Sequence, residues 1–414
     1  MDRAGGQANE DKQPAAAKTW SGLPLKGLYT ASDVEGMDYA RDLGNAGDYP
    51  YTRGIHPNMY RGRQWTQKLL CGFGTPADTN ERLRSYIGEG AKALDIIPDV
   101  PSWIGIDADH PRARGEVGVQ GVNLTSLEDI EIMLDGLPPE LPLILHGTNT
   151  MASPFELGAW AVLAEKRGLP LASLRGTLLN DPLFTFYCSW WPEGKLLVDL
   201  ALKLGIDAIE YCTENMPRVY SSYSDGYNFR EMGINAPQEL ALTLAKARCY
   251  VDKCRERGLA IDAFAPRLTF CFSAHIDFFE EIAKIRAARR MWARIAREQY
   301  GAQDPRSLKL RFSVHTAGCS LVSAQPLNNI VRVAYEAMAA ALGGAQAMDL
   351  CCYDEAVNIP SEEAGILSLR TQQILACETG ITAVADPLGG SYYVEGLTSA
   401  LEAKTAEILA EIAR

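Results

Sequence analysis

Between Ala93 and the C-terminus, short apolar, β-prone runs alternate with longer segments whose apolar positions recur at helical spacing. The short runs are Ala93–Pro98, Leu141–His146, Arg175–Asn180, Arg218–Ser224, Ala265–Phe272, Lys309–His315, Gln346–Tyr353 and Ile381–Ala385. Each precedes a helical candidate: Ser126–Leu134, Pro154–Arg167, Lys195–Leu204, Pro237–Arg257, His275–Gln299, Asn328–Leu342, Glu362–Thr379 and Val394–Ala413. Near-continuous apolar strands, each followed by a helix, belong to a parallel sheet covered on both faces. Eight such units predict an α/β protein, a (β/α)8 TIM barrel over residues 93–414. The competing arrangement is a doubly wound open sheet, which would normally place a glycine-rich loop after its first strand; none is present.

Upstream of the barrel, residues 1–22 are small and polar and read as a flexible tail. Residues 23–92 read as an extended arm and a pre-barrel helix; as far as Tyr60 the arm is rich in Gly, Pro and Tyr without a sustained period, as in a segment laid over another surface. The start lacks the apolar core of a signal peptide and no run of eighteen apolar residues occurs, so the expected location is the cytosol. Within 414 residues, 47% hydrophobic and 22% charged content allows a large core and excludes disorder for most of the chain. A net charge of −12 gives no general attraction to nucleic acid or an anionic membrane, so an anionic ligand requires a local basic pocket. Ten cysteines without a CxxC pair, most of them in apolar runs, read as buried thiols, and no metal-ligand spacing is present. Trp160 and Trp292 read as packing residues, and Arg286, Arg289, Arg290, Arg294 and Arg297 as a solvated helix face shared with Glu280, Glu281 and Lys284.

In a (β/α)8 barrel the chemistry sits at the C-terminal ends of the strands. The polar residues there are Asp99, Thr148, Asn149, Asn180, Asp181, Asp225, Tyr227, Asn228, Cys271, Ser273, His315, Thr316, Asp354, Glu355 and Asp386. His315 alone of the five histidines directly closes a strand, where an imidazole can move a proton, orient a ligand or serve as a hydrogen-bonded structural group. Before the first strand, Arg53–Lys68 packs four cations into sixteen residues with Tyr60 and Trp65 among them. Guanidinium forks pair phosphates and aromatic faces stack bases, so this arm suits an anionic ligand with an adenine ring.

Five segments carry a resemblance: Tyr51–Thr66, Asp109–Gly118, Phe264–Phe270, Arg370–Leu375 and Asp386–Glu395 together resemble the methylmalonyl-CoA mutase family, over residues 23–412. The forms Ile55-His56-Pro57 and Arg61-Gly62-Arg63-Gln64-Trp65 are similar to the branch that handles isobutyryl-CoA-like substrates. The resemblance implies a large, substrate-binding subunit that threads an acyl-CoA through the barrel axis. It further implies adenosylcobalamin, carried over the strand ends by a flavodoxin-like domain, and a 1,2-shift of the thioester group begun by Co–C homolysis. This chain has no Asp-x-His-x-x-Gly cobalamin motif, so the expected partner is a small cobalamin-binding subunit, in a homo- or hetero-oligomer with no nucleic acid and no membrane.

Carried over by motif, the substrate and CoA positions are His56, Asn58, Met59, Arg63, Thr66, Lys68, Thr177, Leu179, Ser189, Arg267, Thr269 and Arg306. The cofactor-facing positions are Leu70, Glu231, Gly318 and Glu355, and the catalytic candidates are Asp225, Tyr227, Asn228 and His315. His56 and Asn58 replace the family's Tyr and Thr, Lys68 an Arg, and Leu70 the tyrosine that wedges against the corrin. Asn228 replaces the histidine that contacts the thioester oxygen, Leu179 a Gln, and Ser189 the Arg that pairs a substrate carboxylate. Glu355 persists while its Asn partner becomes Cys351. A buried carboxylate without a cation is strongly penalised, so a non-carboxylated acyl chain is expected. Two other readings of the same residues stand beside the mutase: a cobalamin-independent enzyme on an acyl-CoA or carrier-protein thioester, using His315, Asp225 or Tyr227 as acid or base, and a non-catalytic family member.

Overall fold

The computed structural model describes residues 17–139, 141–146, 152–188 and 198–414. Its strands are β1 (Thr66–Gln67), β2 (Leu70–Cys71), β3 (Leu94–Ile96), β4 (Leu143–Leu145), β5 (Gly176–Leu178), β6 (Val219–Tyr220), β7 (Ser222–Asp225), β8 (Leu268–Ala274), β9 (Phe312–Thr316) and β10 (Ala347–Asp349). They form two five-stranded sheets, ordered β1-β10-β9-β8-β7 and β2-β3-β4-β5-β6, and every pairing is parallel. Two continuous segments supply an edge to each sheet. Thr66–Cys71 provides β1 to one and β2 to the other, and Val219–Asp225 does the same with β6 and β7.

A helix follows each strand segment, because parallel neighbours cannot be joined by a tight turn. The principal ones are Pro76–Gly88, Leu127–Met133, Ala152–Lys166, Val198–Asn215, Ala236–Glu256, Phe278–Arg294, Pro326–Gly343, Glu362–Cys377 and Tyr392–Ile412. Several open on side-chain caps that satisfy their first free amides: Thr75 and Asp78 form a capping box, as do Ser126 with Asp129 and Asn235 with Gln238. The apolar faces of sheets and helices meet in two large cores, one around Phe270, Phe272, Trp292 and Leu310, the other around Ile96, Leu145, Leu178 and Trp160. No helix of the described residues is long and apolar enough to cross a membrane.

Three expectations are corrected. Ile381–Ala385 is not a strand. It follows a helix end at Gly380 (φ +72°), precedes Asp386-Pro387, and leaves Val384 exposed, so a short β-prone run without a sheet edge to pair with stays a turn. The eighth strand segment is instead Thr66–Cys71, inside the predicted arm; Lys68 in its middle masks it as a polar stretch, yet that side chain is buried and ion-paired. The arginines of the helix Phe278–Arg294 are not a solvated face. Arg286, Arg289 and Arg290 are buried, Arg286 pairing with Asp386 and Glu395, and Arg290 with Glu402.

Those arginines fasten the arm. Arg289 donates to the carbonyls of Tyr51 (2.9 Å) and Thr52 (2.7 Å), Arg290 to that of Asp42 (3.2 Å), and Arg53 reaches back to Asp386 at 2.9 Å. Part of the expected tail is also docked: the Trp20 amide donates to Asp277 at 2.9 Å and its ring lies 4.4 Å from that of His275. The arm thereby arrives over the N-terminal ends of the strands.

Candidate active site

A cavity of about 530 Å³ opens at those ends. The residue immediately before each strand segment lines it: Trp65, Ala93, Pro142, Arg175, Arg218, Arg267, Arg311 and Gln346. Four neighbouring strands thus begin with an arginine, and the arm adds His56, Met59 and Arg63 to the same rim. Crowding marks the concentration of charge. Burial, with Lys309, Arg311 and Arg63 nearby, holds His56 below the ordinary imidazole range; burial and Arg267 lower Arg311 despite Tyr220. The Arg267 guanidinium lies 5.1 Å from the Tyr220 ring centroid, a cation–π contact that keeps its plane at the rim. In a chain of net charge −12, this is a local concentration of positive charge.

Inward from the rim the lining becomes Thr66, Lys68, Ile144, Thr177, Leu179, Tyr223 and Thr269. Ala93, Ile144, Leu179, Tyr223 and Cys271, with Tyr227, form a small apolar cluster separate from the two main cores. Buried beside it is a charged group. Lys68 Nζ lies 2.6 Å from Asp95 Oδ2 and also pairs with Asp349, while His146 Nε2 is 2.6 Å from Asp95 Oδ1. Burial would raise the Asp95 carboxyl, but Lys68 and His146 outweigh it and hold it below the usual range; burial would lower Lys68, but the two carboxylates raise it. Asp349 is raised by burial, Lys68 opposing and Asp95 reinforcing.

Further along, at the C-terminal ends of the strands, the catalytic candidates come together. The Tyr227 and His315 rings are 4.4 Å apart, and His315 Nδ1 lies 3.0 Å from the Thr316 carbonyl and 3.7 Å from Cys351 Sγ. An Nδ1–H donating to that carbonyl leaves Nε2 as an acceptor. Asp225 is raised, chiefly by burial; its Oδ2 accepts from the Asn228 amide (3.2 Å) and the Tyr187 hydroxyl (3.3 Å). The Asn228 side-chain oxygen is 3.6 Å from Cys188 Sγ. Glu231 stands beside Gly318, where an added Cβ would meet its carboxylate at 3.1 Å and the Tyr227 hydroxyl at 3.4 Å. Glu355 accepts from the Cys352 amide at 2.8 Å, and Leu70 lies in register with Asp95.

Some predicted residues lie elsewhere. Arg306 points to Asp304 on the surface, and Asn58 is exposed outside the cavity lining. Asp99 is engaged by Ser102, Gly118 and Asn123, Asp354 by the Ser361 amide, and Asp386 by the arm's Arg53 and by Arg286. Asp181 is taken up by Lys246, Tyr187 and Tyr250. Thr148, Asn149 and Ser189 lie outside the described residues. Sequence reasoning missed Arg175, Arg218, Arg311 and the group Lys68–Asp95–Asp349–His146 as a unit. The arginines were detectable as cations opening apolar runs, whereas the buried group needs the cross-strand register.

Residues 18–414 match the model of the methylmalonyl-CoA mutase family, and the chain belongs to that family. It is 41% identical over 390 residues to the 2-hydroxyisobutanoyl-CoA mutase large subunit of Aquincola tertiaricarbonis, covering 94% of this chain and 69% of that one. It is 40% identical over 401 residues to the methylmalonyl-CoA mutase of Cereibacter sphaeroides, covering 95% and 55%, and 37% identical over 398 residues to the mitochondrial enzyme of Homo sapiens, covering 95% and 52%. The chain therefore spans about half the length of these methylmalonyl-CoA mutases. All three relatives are mutases, which are isomerases of the intramolecular transferase type.

Proposed function

We propose that this chain is the substrate-binding subunit of an adenosylcobalamin-dependent acyl-CoA mutase, acting on a non-carboxylated acyl chain with a separate cobalamin-binding subunit. The observation that carries the reading is the arginine rim at the strand N-termini, leading into a narrow, mostly apolar interior. Phosphates of CoA would meet Arg63, Arg175, Arg218, Arg267 and Arg311, and the pantetheine would run inward past Thr177 and Thr269. One cavity lined by the residue preceding every strand segment supports closure of the two sheets into a single (β/α)8 barrel. A 2-hydroxyisobutanoyl-CoA mutase large subunit among the relatives supports both a non-carboxylated acyl group and a partner subunit.

The opposite, C-terminal face fits a cofactor. Glu231 Oε1 is buried without a hydrogen-bond partner among the described residues, next to a position only glycine fills without contact. Glu231, Gly318, Glu355 and Leu70 would hold the corrin side, and cobalamin when bound supplies radical initiation. On this chain's side, the packed rings of Tyr227 and His315 would wall the space between a bound cofactor and the acyl group and would exclude water from it. The Asn228 amide can donate a hydrogen bond to a thioester oxygen but cannot titrate. Asn228 and Leu179 favour a second reading, cobalamin-free acid–base chemistry with Asp225 or His315.

Calorimetry tests the CoA site: Arg63→Ala and Arg267→Ala should each weaken binding of isobutyryl-CoA by about 1.5–3 kcal/mol, as loss of a charge-assisted hydrogen bond does. Unchanged affinity in both variants refutes the assignment. Isomerase turnover on adding a cobalamin subunit separates the two readings.

A further inference from the structure

The interior of the cavity carries an unused acceptor. Ala347 on β10 and Ser313 on β9 are in register and both line the cavity. Side chains two residues apart on a strand share a face, so the next inward positions are Asp349 and His315, again in register. Asp349 ion-pairs with Lys68, itself part of the lining, and lies within electrostatic range of Tyr223 and His315. The ion pair with Lys68, the strand register with His315 and the cavity-lining Ala347 two residues earlier together place the carboxylate on the inner face, one step beyond the cavity wall. Its side chain is 8% exposed, and Oδ1 has no hydrogen-bond partner among the described residues. Buried carboxylate oxygens are normally satisfied, and one left bare is a standing penalty that a ligand can remove.

The surroundings select the donor. A carboxylated acyl chain would meet the negative charges of Asp349 and Asp95. A cationic one would meet the Lys68 ammonium. A plain alkyl chain would leave Oδ1 bare and shut off from water. We propose that Asp349 Oδ1 accepts a hydrogen bond from a hydroxyl on the acyl chain, so that the substrate is a hydroxyacyl thioester and Asp349 determines its specificity. This rests on the CoA-ester reading above. Lys68 and Asp95 act as positioning residues: the ammonium fixes Oδ2 and leaves Oδ1 to face the ligand.

The test is calorimetric titration of the full chain with free CoA, isobutyryl-CoA, 2-hydroxyisobutyryl-CoA, 3-hydroxybutyryl-CoA and methylmalonyl-CoA. Wild type should bind at least one hydroxyacyl ester about 10-fold or more tightly than isobutyryl-CoA, as a hydrogen bond to a charged group provides. Methylmalonyl-CoA should bind more weakly than either. Asp349→Leu should reduce the hydroxyl preference to less than about 2-fold with free CoA affinity unchanged, and Asp349→Asn, whose amide oxygen still accepts, should retain part of it. Equal affinity of wild type for hydroxylated and plain esters overturns the proposal, as does a full preference retained in Asp349→Leu. If Asp349→Leu does not fold, the wild-type comparison and Asp349→Asn decide. Binding of free CoA without hydroxyl preference refutes the role of Asp349 alone, whereas absence of binding for every CoA compound refutes the CoA site and the inference built on it.

Discussion

Replacing Lys68 by Met keeps length and apolar volume but removes the one cation between Asp95 and Asp349. At an effective dielectric near 20, two unit charges about 4 Å apart attract by about 4 kcal/mol. Lys68 makes two such attractions, with both acids and the lysine less than 10% exposed. Against these stand the repulsion between the carboxylates and the several kcal/mol needed to desolvate the ammonium. The net loss on breaking such a buried pair is about 3–5 kcal/mol, because two carboxylates are left facing each other with only His146 beside Asp95. The pH dependence follows from the direction of each shift. In the wild type, Lys68 and His146 hold Asp95 below the usual range despite burial, so its contribution is present above the unfolded carboxylate value and is lost only as pH falls through its own lower one. In Lys68→Met both carboxyls move upward, Asp349 furthest because Asp95 keeps His146, so the cost is largest at neutral pH and shrinks as they protonate on acidification. Urea unfolding of both proteins at pH 7.5 and 5 measures this: the deficit should be several kcal/mol at pH 7.5 and smaller at pH 5. A deficit under about 1 kcal/mol, or one equal at both values, would show that the group is solvated and that the interior is not the dry environment on which the specificity argument depends.

Burial, and secondarily Arg230, lowers His275 to about 4, so the neutral ring favours folding above the unfolded value near 6.5 and that contribution is lost as pH falls from there toward 4. The shift corresponds to about 3 kcal/mol, and His275→Gln should flatten the acid limb of a thermal-stability profile between those values. Asn228→His should raise mutase turnover with adenosylcobalamin and a cobalamin subunit by up to about 100-fold, the usual value of a donor restored at a developing charge, with Leu179→Gln adding to it. A double variant that stays inert across branched, linear and hydroxylated acyl-CoAs favours the cobalamin-free reading.

The strand–helix alternation was legible because strands buried on both faces must be apolar and helices covering them must be amphipathic. Seven of the eight predicted runs overlap strands, among them Arg218–Ser224, which divides at Ser221 to serve both sheets. The eighth was misplaced for a physical reason that composition cannot reveal. Ile381–Ala385 looks like a strand but lacks a partner, whereas Thr66–Cys71 looks polar because its lysine is neutralised by two acids distant in sequence, Asp95 and Asp349. The same reason hid the role of Arg286, Arg289 and Arg290. Glu395, Glu402 and the carbonyls of Tyr51 and Thr52, which take up their charge, lie about a hundred residues or more away, so the local sequence resembles a solvated face.

The position of the cavity explains the remaining gap. The rule that barrels react at their strand C-termini singles out Tyr227, His315 and Asp225 as candidates, but it directs attention away from the residues that precede the strands. An arginine before a strand ordinarily caps the solvent end of the sheet. Here four neighbouring strands begin with one, and the interior behind them is open rather than filled by layers of large side chains. The small residues Ala93 and Ala347 line that space. On the proposed reading, a cavity with cations at one end and buried acid–base groups toward the other would let a long anionic ligand enter from the N-terminal side and present only its reactive end to the C-terminal face. On the proposed reading the two ends meet separate demands: the arginine rim would recognise the carrier, and Lys68, Asp95 and Asp349 would sort what the carrier bears. Variants at the rim should therefore weaken all CoA compounds alike, and variants at Asp349 should change only which acyl group is preferred.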